Sequence, residues 1–294
     1  MFSICHIAAV DKLKNEYSIH IICKTLGLLK STYYHRVKRA PEKKWYEIRN
    51  EMLRPKILAI FKESKERFGA QKISIKLKQQ GMLVSIDAVS KIMKEMGLVC
   101  KQNRMRKYNT TNKCSKYRKN RLKRNFNPNL PNTFWVSDIT YMLTSDADCY
   151  ICVIMDLFSR KIIAYSVSER NDTDLVLTAF NKAFLERGKP ANLTFHSDQG
   201  TQYTSYKCRY VLRQSNVLQS FSTPGTPYDN AVMERFIGVM KHESLSHVYY
   251  KNIDELREGV KEYMEFFNDM RPLEHLGWLT PNEFERRYFE KTAC

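Results

Sequence analysis

The stretch TFWVSDITYML, residues 133–143, decides the fold. Read as a β-strand, it places Trp135 and Val136 on opposite faces, and both faces are largely apolar along its length. A strand that is apolar on both faces is typical of a central strand with helices packed on each side. Asp138 stands in the middle of this strand, where an ionised carboxylate is costly unless it is paired or bound to a metal ion. We therefore predict a functional role for Asp138.

Two more β-rich runs follow this strand, DCYICVIMDLF at residues 148–158 and RKIIAYSVS at residues 160–168. Beyond them, helical and strand patterns alternate along the chain. The predicted elements there are helices over residues 173–186, 203–214 and 231–245, strands in LTFHSD and VLQSF, and a helical tail over residues 253–268. The order βββαβαβα predicts an α/β fold, with a mixed sheet and helices on both of its faces.

Two further carboxylates are candidates for the same site as Asp138. Asp198 ends the strand pattern LTFHSD, directly before a glycine-containing turn. Glu234 lies in PYDNAVMERFIGVMKHE, where the helical period places Asn230, Glu234 and Lys241 on one face. The predicted buried stripe of this helix consists of Val232, Phe236, Val239 and Met240. The preceding loop, SFSTPGTPYDN, connects the helix to the end of a short strand and so favours convergence of the carboxylates.

Three carboxylates without an accompanying His or Cys cluster suit a hard cation such as Mg²⁺ or Mn²⁺. Two such ions, roughly 3.5–4 Å apart, would clamp the attacking and leaving oxygens of a phosphodiester. A zinc or redox role is not predicted for the pair Cys149 and Cys152. Residues three apart in a strand point to opposite faces, so we interpret these cysteines as small buried apolar residues.

The charge of +18 is distributed unevenly along the 294 residues. Residues 1–130 contain 31 Lys and Arg against 9 Asp and Glu, whereas residues 131–294 contain 18 against 22. This asymmetry predicts a nucleic-acid-binding front half attached to a part with different chemistry. No run approaches the roughly 18 apolar residues of a membrane span. The eight cysteines have no framework spacing, which favours a reducing, cytoplasmic setting.

Two segments of the basic half have the pattern of a helix-turn-helix. In YSIHIICKTLGLLKSTYYHRV, residues 17–37, Gly27 separates two short helices and Ser31 is the predicted N-cap of the second, which would be the recognition helix. The alternative is a helical hairpin that only packs. Residues 67–98 form a second such pair of helices. Residues 101–124 contain eleven basic residues and no acid, which predicts a linker that becomes ordered on a phosphate backbone. The candidate DNA contacts in these segments are Ser31, Thr32, Arg36, Arg104, Arg106 and Lys107.

Several longer motifs resemble one family. WVSDITY, DLFSRKIIAYSVS, HSDQGTQYTS, STPGTPYDNAVMERF and FFNDMRPLEHLGWLTPNEF, with 35 residues between Asp198 and Glu234, are similar to the integrase-like transposase encoded by the second reading frame of bacterial insertion sequences. This is a branch of the DDE transposases and retroviral integrases. The upstream RFGAQKISIKLKQQG…KIMKEMGL resembles the helix-turn-helix segment before that core. The sequence departs from the family at His275, which Leu273 and Glu274 separate from the preceding Arg-Pro.

The resemblance implies a ribonuclease-H-like core whose catalytic and metal-binding residues are Asp138, Asp198 and Glu234, with Lys241 contacting DNA. It implies a transposase that binds terminal inverted repeats and uses two Mg²⁺ or Mn²⁺ ions to cleave a strand with water. The freed 3′-hydroxyl would then attack a phosphodiester of target DNA. It also implies a homo-oligomer that bridges two ends, and expression as the downstream part of a frameshift fusion or beside an upstream-frame partner. The setting would be the bacterial cytoplasm, at the nucleoid.

Two alternatives stay open at this point. One is a DNA-binding regulator whose catalytic half has decayed, and the other is a nuclease that only hydrolyses DNA. The predicted domains are a helix-turn-helix segment at residues 1–42, a second helical DNA-binding segment at 43–100, a basic linker at 101–127, the catalytic core at 128–249 and a helical extension of the core at 250–294.

Overall fold

The computed structural model describes residues 4–37, 45–101 and 118–292. It divides into two compact units, Met1–Ala59 and Ile60–Cys294. Within the described residues, none of the helices combines the length and the apolar character that crossing a membrane requires.

The first unit is helical. Its helices are α1 (Ile4–Leu13), α2 (Ile19–Thr25) and α3 (Lys30–Val37), and α4 (Trp45–Glu63) begins in it and ends in the second unit. A small core is formed by Val10, Ile22, Cys23, Leu28 and Tyr33. The Tyr33 hydroxyl donates to Asp11 Oδ1 at 2.9 Å and so ties α3 to α1. The sequence pattern predicted α2 and α3 but not α1.

The two helices α2 and α3 are joined at Gly27, as predicted. Gly27 has φ +64°, a left-handed conformation that favours glycine. The predicted N-cap role of Ser31 is wrong, because α3 begins at Lys30. The carbonyl of Leu29 accepts from the N–H of Tyr33 at 3.2 Å, which makes Leu29 the first residue to accept a helical bond. Ser31 therefore lies inside the first turn.

The second unit begins with another helical pair, α5 (Ala70–Gln79) and α6 (Ile86–Glu95). Ser85 caps α6, since its side chain accepts from the N–H of Ala88. On the predicted apolar faces Ile73, Leu77, Val89, Ile92 and Met93 are buried, whereas Met96 is only half-buried. The pair thus has the two-helix outline that the sequence pattern indicated.

A five-stranded mixed sheet forms the centre of the second unit. Its strands are β1 (Phe134–Leu143), β2 (Asp148–Asp156), β3 (Ile162–Ser168), β4 (Thr194–Ser197) and β5 (Leu218–Phe221), in the spatial order β3-β2-β1-β4-β5. The first three strands pair antiparallel, whereas β4 is parallel to both β1 and β5. The strand β1 is central, and the α/β class and the order βββαβαβα are confirmed.

Helices follow and surround the sheet. They are α7 (Thr173–Glu186), α8 (Thr201–Thr204), α9 (Tyr206–Gln214), α10 (Ala231–Glu243), α11 (Ile253–Glu265) and α12 (Pro281–Thr292). The single helix predicted over residues 203–214 is wrong. Ser205 has extended backbone with ψ 153°, and its hydroxyl accepts from the N–H of Cys208, so α9 starts anew after a break.

The burial of β1 and α10 differs in part from the prediction. Trp135 and Val136 are completely buried, but Tyr141 and Leu143 are exposed, so β1 is covered on both faces only towards its start. In α10 the buried residues are Met233, Phe236, Ile237 and Met240, while Val232 and Val239 are half-buried beside a cavity. Side-chain bonds from both ends of α10 to β1 fix this rotation of the helix.

Cys149 and Cys152 are buried free thiols on β2, as predicted. Cys149 pairs with Met142 of β1, and Cys152 with Ile139. Both cysteines therefore serve as small core residues of the sheet.

Candidate active site

Asp138 and Asp198 meet because β1 and β4 are parallel neighbours. The register places Val136 opposite His196, so two residues further along each chain bring Asp138 level with Asp198. Both aspartates line a cleft of about 160 Å³. The other residues lining this cleft are Ile139, Thr140, Tyr141, Tyr150, Asn171, Gln202 and Tyr203. The carboxylate in the middle of β1 and the carboxylate just after the end of β4 form the centre of the candidate site.

The pKa of Asp138 indicates a shortage of positive charge in this cleft. Burial and then repulsion from Asp198 raise the pKa of Asp138 to about 7, and Glu234 adds a smaller repulsion. The N–H of Ile139 donates to Asp138 Oδ1 at 2.8 Å, and this bond and the charge of Lys241 act in the opposite direction. Without a bound cation, Asp138 holds a proton almost to neutral pH.

Asp198 lies at the rim of the cleft, just after β4. Its Oδ1 accepts from the N–H of Gly200 at 3.0 Å, and the surrounding protein raises its pKa although the side chain reaches solvent. A side chain at Gly200 would place its Cβ 3.0 Å from Asp198 Oδ1 and 2.9 Å from Gln202 Oε1. A substitution at Gly200 would therefore displace the ends of these two side chains, including the Asp198 carboxylate.

Glu234 stands in the first turn of α10, on the helix face that lies along β1. Asn230 Nδ2 donates to the carbonyl of Ser137 at 3.2 Å, and Lys241 Nζ donates to the carbonyl of Tyr141 at 2.8 Å. The predicted shared face of Asn230, Glu234 and Lys241 is thus turned towards the strand that carries Asp138. A negative side chain in a first turn is also favoured by the helix dipole.

Glu234 does not line the cleft that the two aspartates share. Across the residues that the structure describes, no group of three His, Cys, Asp or Glu side chains is close enough together to hold a metal ion. The structure therefore brings Asp138 and Asp198 together and leaves Glu234 nearby on the adjoining helix. The oxygen donors of the pair suit a hard divalent cation.

Beyond the point where β4 stops pairing with β1, backbone groups on that edge of β1 form hydrogen bonds with side chains. The carbonyl of Thr133 accepts from Thr194 of β4, so the odd-numbered residues of β1 face that neighbour. Pairing with β4 spans residues 134–136. Further along, Asn230, Asp138 and Lys241 bond to the backbone of Ser137, Ile139 and Tyr141 respectively. The candidate site lies in the gap that opens between the two strands.

A cluster of polar side chains at the cleft was not predicted from the sequence. The hydroxyls of Ser137 and Tyr203 are 2.9 Å apart, and the thiol of Cys152 lies 3.5 Å from the Ser137 hydroxyl. Burial raises the pKa of Tyr203 well above its ordinary value, so the phenol stays neutral. This cluster supports the backbone at Asp138, and no local sequence signal identifies it because its members come from three different elements.

The predicted DNA contacts are placed only in part. Ser31 is exposed on α3, while the side chains of Thr32 and Arg36 lie outside the described residues. Arg104, Arg106 and Lys107 lie outside them entirely. Lys241 has an intramolecular partner in the Tyr141 carbonyl, and its ammonium also stands 4.7 Å from the centre of the Tyr141 ring.

A cavity of about 600 Å³ lies on the opposite face of α10 from Glu234. Val232, Arg235 and Val239 line it from the helix, and His275 and Trp278 from the tail. His275 Nε2 is 3.2 Å from an Arg160 nitrogen, and burial and this arginine lower the pKa of His275. His275 is thus a neighbour of the cavity and not of the two aspartates.

The raised pKa of Asp138 leads to a prediction for metal-free protein. We expect the stability of Asp138→Asn relative to wild type to increase as the pH rises from about 4 through 7. Unfolded aspartate loses its proton near 3.8, whereas folded Asp138 keeps it until its pKa of about 7, so the folded wild type loses stability across this window. Near pH 8 the free energy of unfolding of Asp138→Asn should exceed that of wild type by roughly 1–3 kcal/mol, measured by urea unfolding in EDTA.

Two controls accompany this measurement. Asp146→Asn, at an exposed aspartate in the turn before β2, should leave the pH dependence unchanged. Added Mg²⁺ should raise the urea midpoint of unfolding of wild type more than that of Asp138→Asn. A difference in stability between Asp138→Asn and wild type that stays constant with pH would contradict the raised pKa of Asp138.

Comparisons with known families cover most of the chain. The integrase core domain family matches residues 128–227, and a second description of the integrase core domain matches residues 215–281. An HTH-like domain family matches residues 47–106. The first two matches contain both aspartates and Glu234, and the third contains α5 and α6.

Curated relatives match over nearly their whole length. The chain is 34% identical over 274 residues to the "insertion element IS600 uncharacterized 31 kDa protein" of Shigella sonnei, covering 92% of this chain and 100% of the relative. It is 35% identical over 251 residues to the transposase for insertion sequence element IS904 of Lactococcus lactis, covering 84% and 98%. Among solved structures, the HTLV-2 integrase catalytic core domain in complex with magnesium is similar with a TM-score of 0.42 and 18% identity, over 52% of this chain and 94% of that chain.

The fold, the family matches and the two relatives agree with one another. The mixed sheet with helices on both faces is the ribonuclease-H-like integrase core, and the helical pair before it is the HTH-like domain. The chain belongs to the transposases of bacterial insertion sequences, which are DDE-type polynucleotidyl transferases that bind DNA and function in DNA transposition.

Proposed function

We propose that this transposase binds the terminal inverted repeats of an insertion sequence, and cleaves and joins DNA strands at the cleft of Asp138 and Asp198. The observation that carries the proposal is the level pair of aspartates, where burial and then repulsion from Asp198 raise the pKa of Asp138 to about 7. Negative charge gathered in this way in an integrase core favours a site that is completed by cations.

The donor set of Asp138, Asp198 and Glu234 fits Mg²⁺ or Mn²⁺, and we propose two ions. When bound, such ions activate water and stabilise the attacking and leaving oxygens of a phosphodiester. Asp138 would be the shared ligand, since it is held by the N–H of Ile139 and repelled by both other carboxylates. Asp198 and Glu234 would each complete one ion, with Glu234 approaching the pair from the first turn of α10.

We assign one proposed role to each predicted domain. Residues 1–42 and 43–100 would read the end sequence, with α3 and α6 as the reading helices. The linker at residues 101–127 would contact phosphates, and residues 128–249 and 250–294 would form the catalytic core and its extension. Cleavage of both ends in one complex would use a homo-oligomer, made from this chain alone or with an upstream-frame partner or fusion.

The test is an assay with labelled end DNA and Mg²⁺ that separates strand cleavage from strand joining. We expect both products with end DNA, and neither product in EDTA or with a scrambled end. Cleavage of any sequence without joining would identify a nuclease that only hydrolyses. Specific binding with neither product, in Mg²⁺ and in Mn²⁺, would identify a DNA-binding regulator.

Lys241 gives a prediction of its own. One proton of its ammonium is used by the Tyr141 carbonyl, which leaves two for a DNA phosphate near the aspartates. Lys241→Ala should weaken end binding and joining about tenfold at low salt and lower the salt slope of binding by about one unit. Lys241→Arg should keep most of the activity, because a phosphate contact depends mainly on charge. Binding is measured by fluorescence anisotropy across a salt series.

The matched control is Lys182→Ala, which removes an exposed lysine from α7. It should change neither the affinity nor the salt slope by a measurable amount. If Lys241→Ala and Lys182→Ala gave the same curves as wild type at every salt concentration, Lys241 would serve only to bind β1.

A further inference from the structure

Glu243 is the last residue of the helix that carries Glu234, and it is held by donors from three other segments. Lys72 Nζ donates to its Oε1 at 3.1 Å, and Arg271 donates to both oxygens at 2.8 Å. The Tyr263 hydroxyl donates to Oε2 at 3.1 Å. The side chain of Glu243 is only 12% exposed. A carboxylate with this many donors is fixed in one position.

A second set of bonds reaches the same helix end from Arg67. Its guanidinium is buried, donates to the carbonyl of Glu243 at 3.2 Å, and donates to the Ser244 hydroxyl at 3.0 Å and to Glu262 at 2.9 Å. The carbonyl of Glu243 lies at the C-terminal end of α10, where carbonyls lack helical partners and cations are favoured. The Arg67 guanidinium also lies 4.5 Å from the centre of the Phe266 ring.

These contacts fasten the HTH-like pair to the catalytic helix. Arg67 lies just before α5 and Lys72 lies within it, so both sets of bonds come from the start of that pair. Glu234 and Glu243 are nine residues apart on α10, which is about 14 Å along the helix axis. A buried network of paired charges is costly to break at any one member. The helix α10 is thus a rigid spacer between the HTH-like pair and the catalytic carboxylates.

The helix α6 of this pair presents a cationic face. Val89, Ile92 and Met93 of α6 are buried, whereas Lys91 and Lys94 are exposed. DNA held on that face would meet the catalytic carboxylates at a distance that the spacer sets.

We infer that Glu243 is a positioning residue that determines which phosphodiester of the bound end is cleaved, and this rests on the proposed function. Its bonds to Lys72 and Arg271, together with the Arg67 bonds to the adjacent backbone, hold the end-reading pair at a fixed offset from Asp138, Asp198 and Glu234. Loosening this attachment leaves the reading surface and the carboxylates chemically intact but lets the scissile position vary.

The experiment maps cleavage at single-nucleotide resolution on labelled end DNA with the full-length chain and Mg²⁺. Glu243→Gln keeps the size of the side chain and removes its charge, and Lys72→Met breaks the network from the α5 side alone. Both variants should increase cleavage at neighbouring phosphodiesters roughly tenfold relative to the wild-type position. End-DNA affinity should stay within about threefold, because the contacts to DNA are unchanged.

The matched control is Glu285→Gln. Glu285 is also a buried glutamate, and it accepts from Arg187 and Ser159, but these partners all belong to the core. The control should lower the unfolding temperature and keep the cleavage position. The inference would be overturned if Glu243→Gln or Lys72→Met cleaved at the wild-type position as accurately as wild type. It would also be overturned if Glu285→Gln increased cleavage at neighbouring phosphodiesters to the same extent. If Glu243→Gln does not fold, Lys72→Met decides. Wild type that cuts no end DNA would instead overturn the proposed function.

Discussion

Asp138→Asn, Asp198→Asn and Glu234→Gln are each expected to lower strand cleavage and strand joining by roughly 10³-fold or more. Each substitution removes a charged oxygen ligand and keeps nearly the same volume, so the fold and the surface that binds DNA are preserved. End-DNA affinity in EDTA should therefore stay within about threefold of wild type. Cleavage is measured in a single-turnover assay. Strand joining is measured separately, starting from pre-cleaved ends.

Asp146→Asn is the control for these three variants, since Asp146 is exposed in the turn between β1 and β2. It should cleave and join at the wild-type rate. Glu234 provides the sharpest test, because it stands outside the cleft that the aspartates line. Near-normal joining by Glu234→Gln would remove it from the proposed ligand set and leave a site of two aspartates.

The second large effect is expected in the basic linker. Replacing Arg104, Arg106 and Lys107 together by Gln should weaken binding to every DNA sequence by roughly 10- to 100-fold at low salt. The slope of log affinity against log salt should fall by about 2–3 units, since each lost phosphate contact accounts for about 0.9. Binding to end DNA and to scrambled DNA is measured in parallel across a salt series.

A contrasting variant separates phosphate contacts from base reading. Replacing Ser31, Thr32 and Arg36 together by Ala should reduce the preference for end DNA over scrambled DNA, while the slope changes by about one unit at most. If the linker variant instead changed sequence preference, base reading would lie in the linker. If the α3 variant kept its full preference for the end, the first helical pair would be a packing hairpin.

The elements that the sequence predicted well are those with local patterns. The strands β1, β2 and β3 and the helix α7 were predicted to within about two residues, because alternation and helical spacing are visible within each run. The break at Ser205 was not predicted, since the apolar pattern continues through it and a single hydroxyl bond decides the outcome. The rotation of α10 was not predicted because two side-chain bonds to a strand about 90 residues away determine it.

The same distinction holds for the candidate site. The sequence identified Asp138 and Asp198 as separate unusual carboxylates, but their level positions come from parallel pairing between distant strands. The Glu243 network was not predicted at all. Its members lie at positions 67, 72, 243, 263 and 271, and each has an ordinary local sequence. Only the three-dimensional packing shows that they form one attachment.

The separation of β1 from β4 also bears on self-association of the molecule through its sheet. A strand edge with unpaired backbone groups is a template to which a strand of another molecule can add. In this protein the edge is occupied by side chains of Asn230, Asp138 and Lys241, which bond to the backbone groups that a further strand would use. The bonded edge therefore offers few free backbone groups to a further β-strand. The side chains beside the candidate site therefore also protect this stretch of β1 from the addition of another strand.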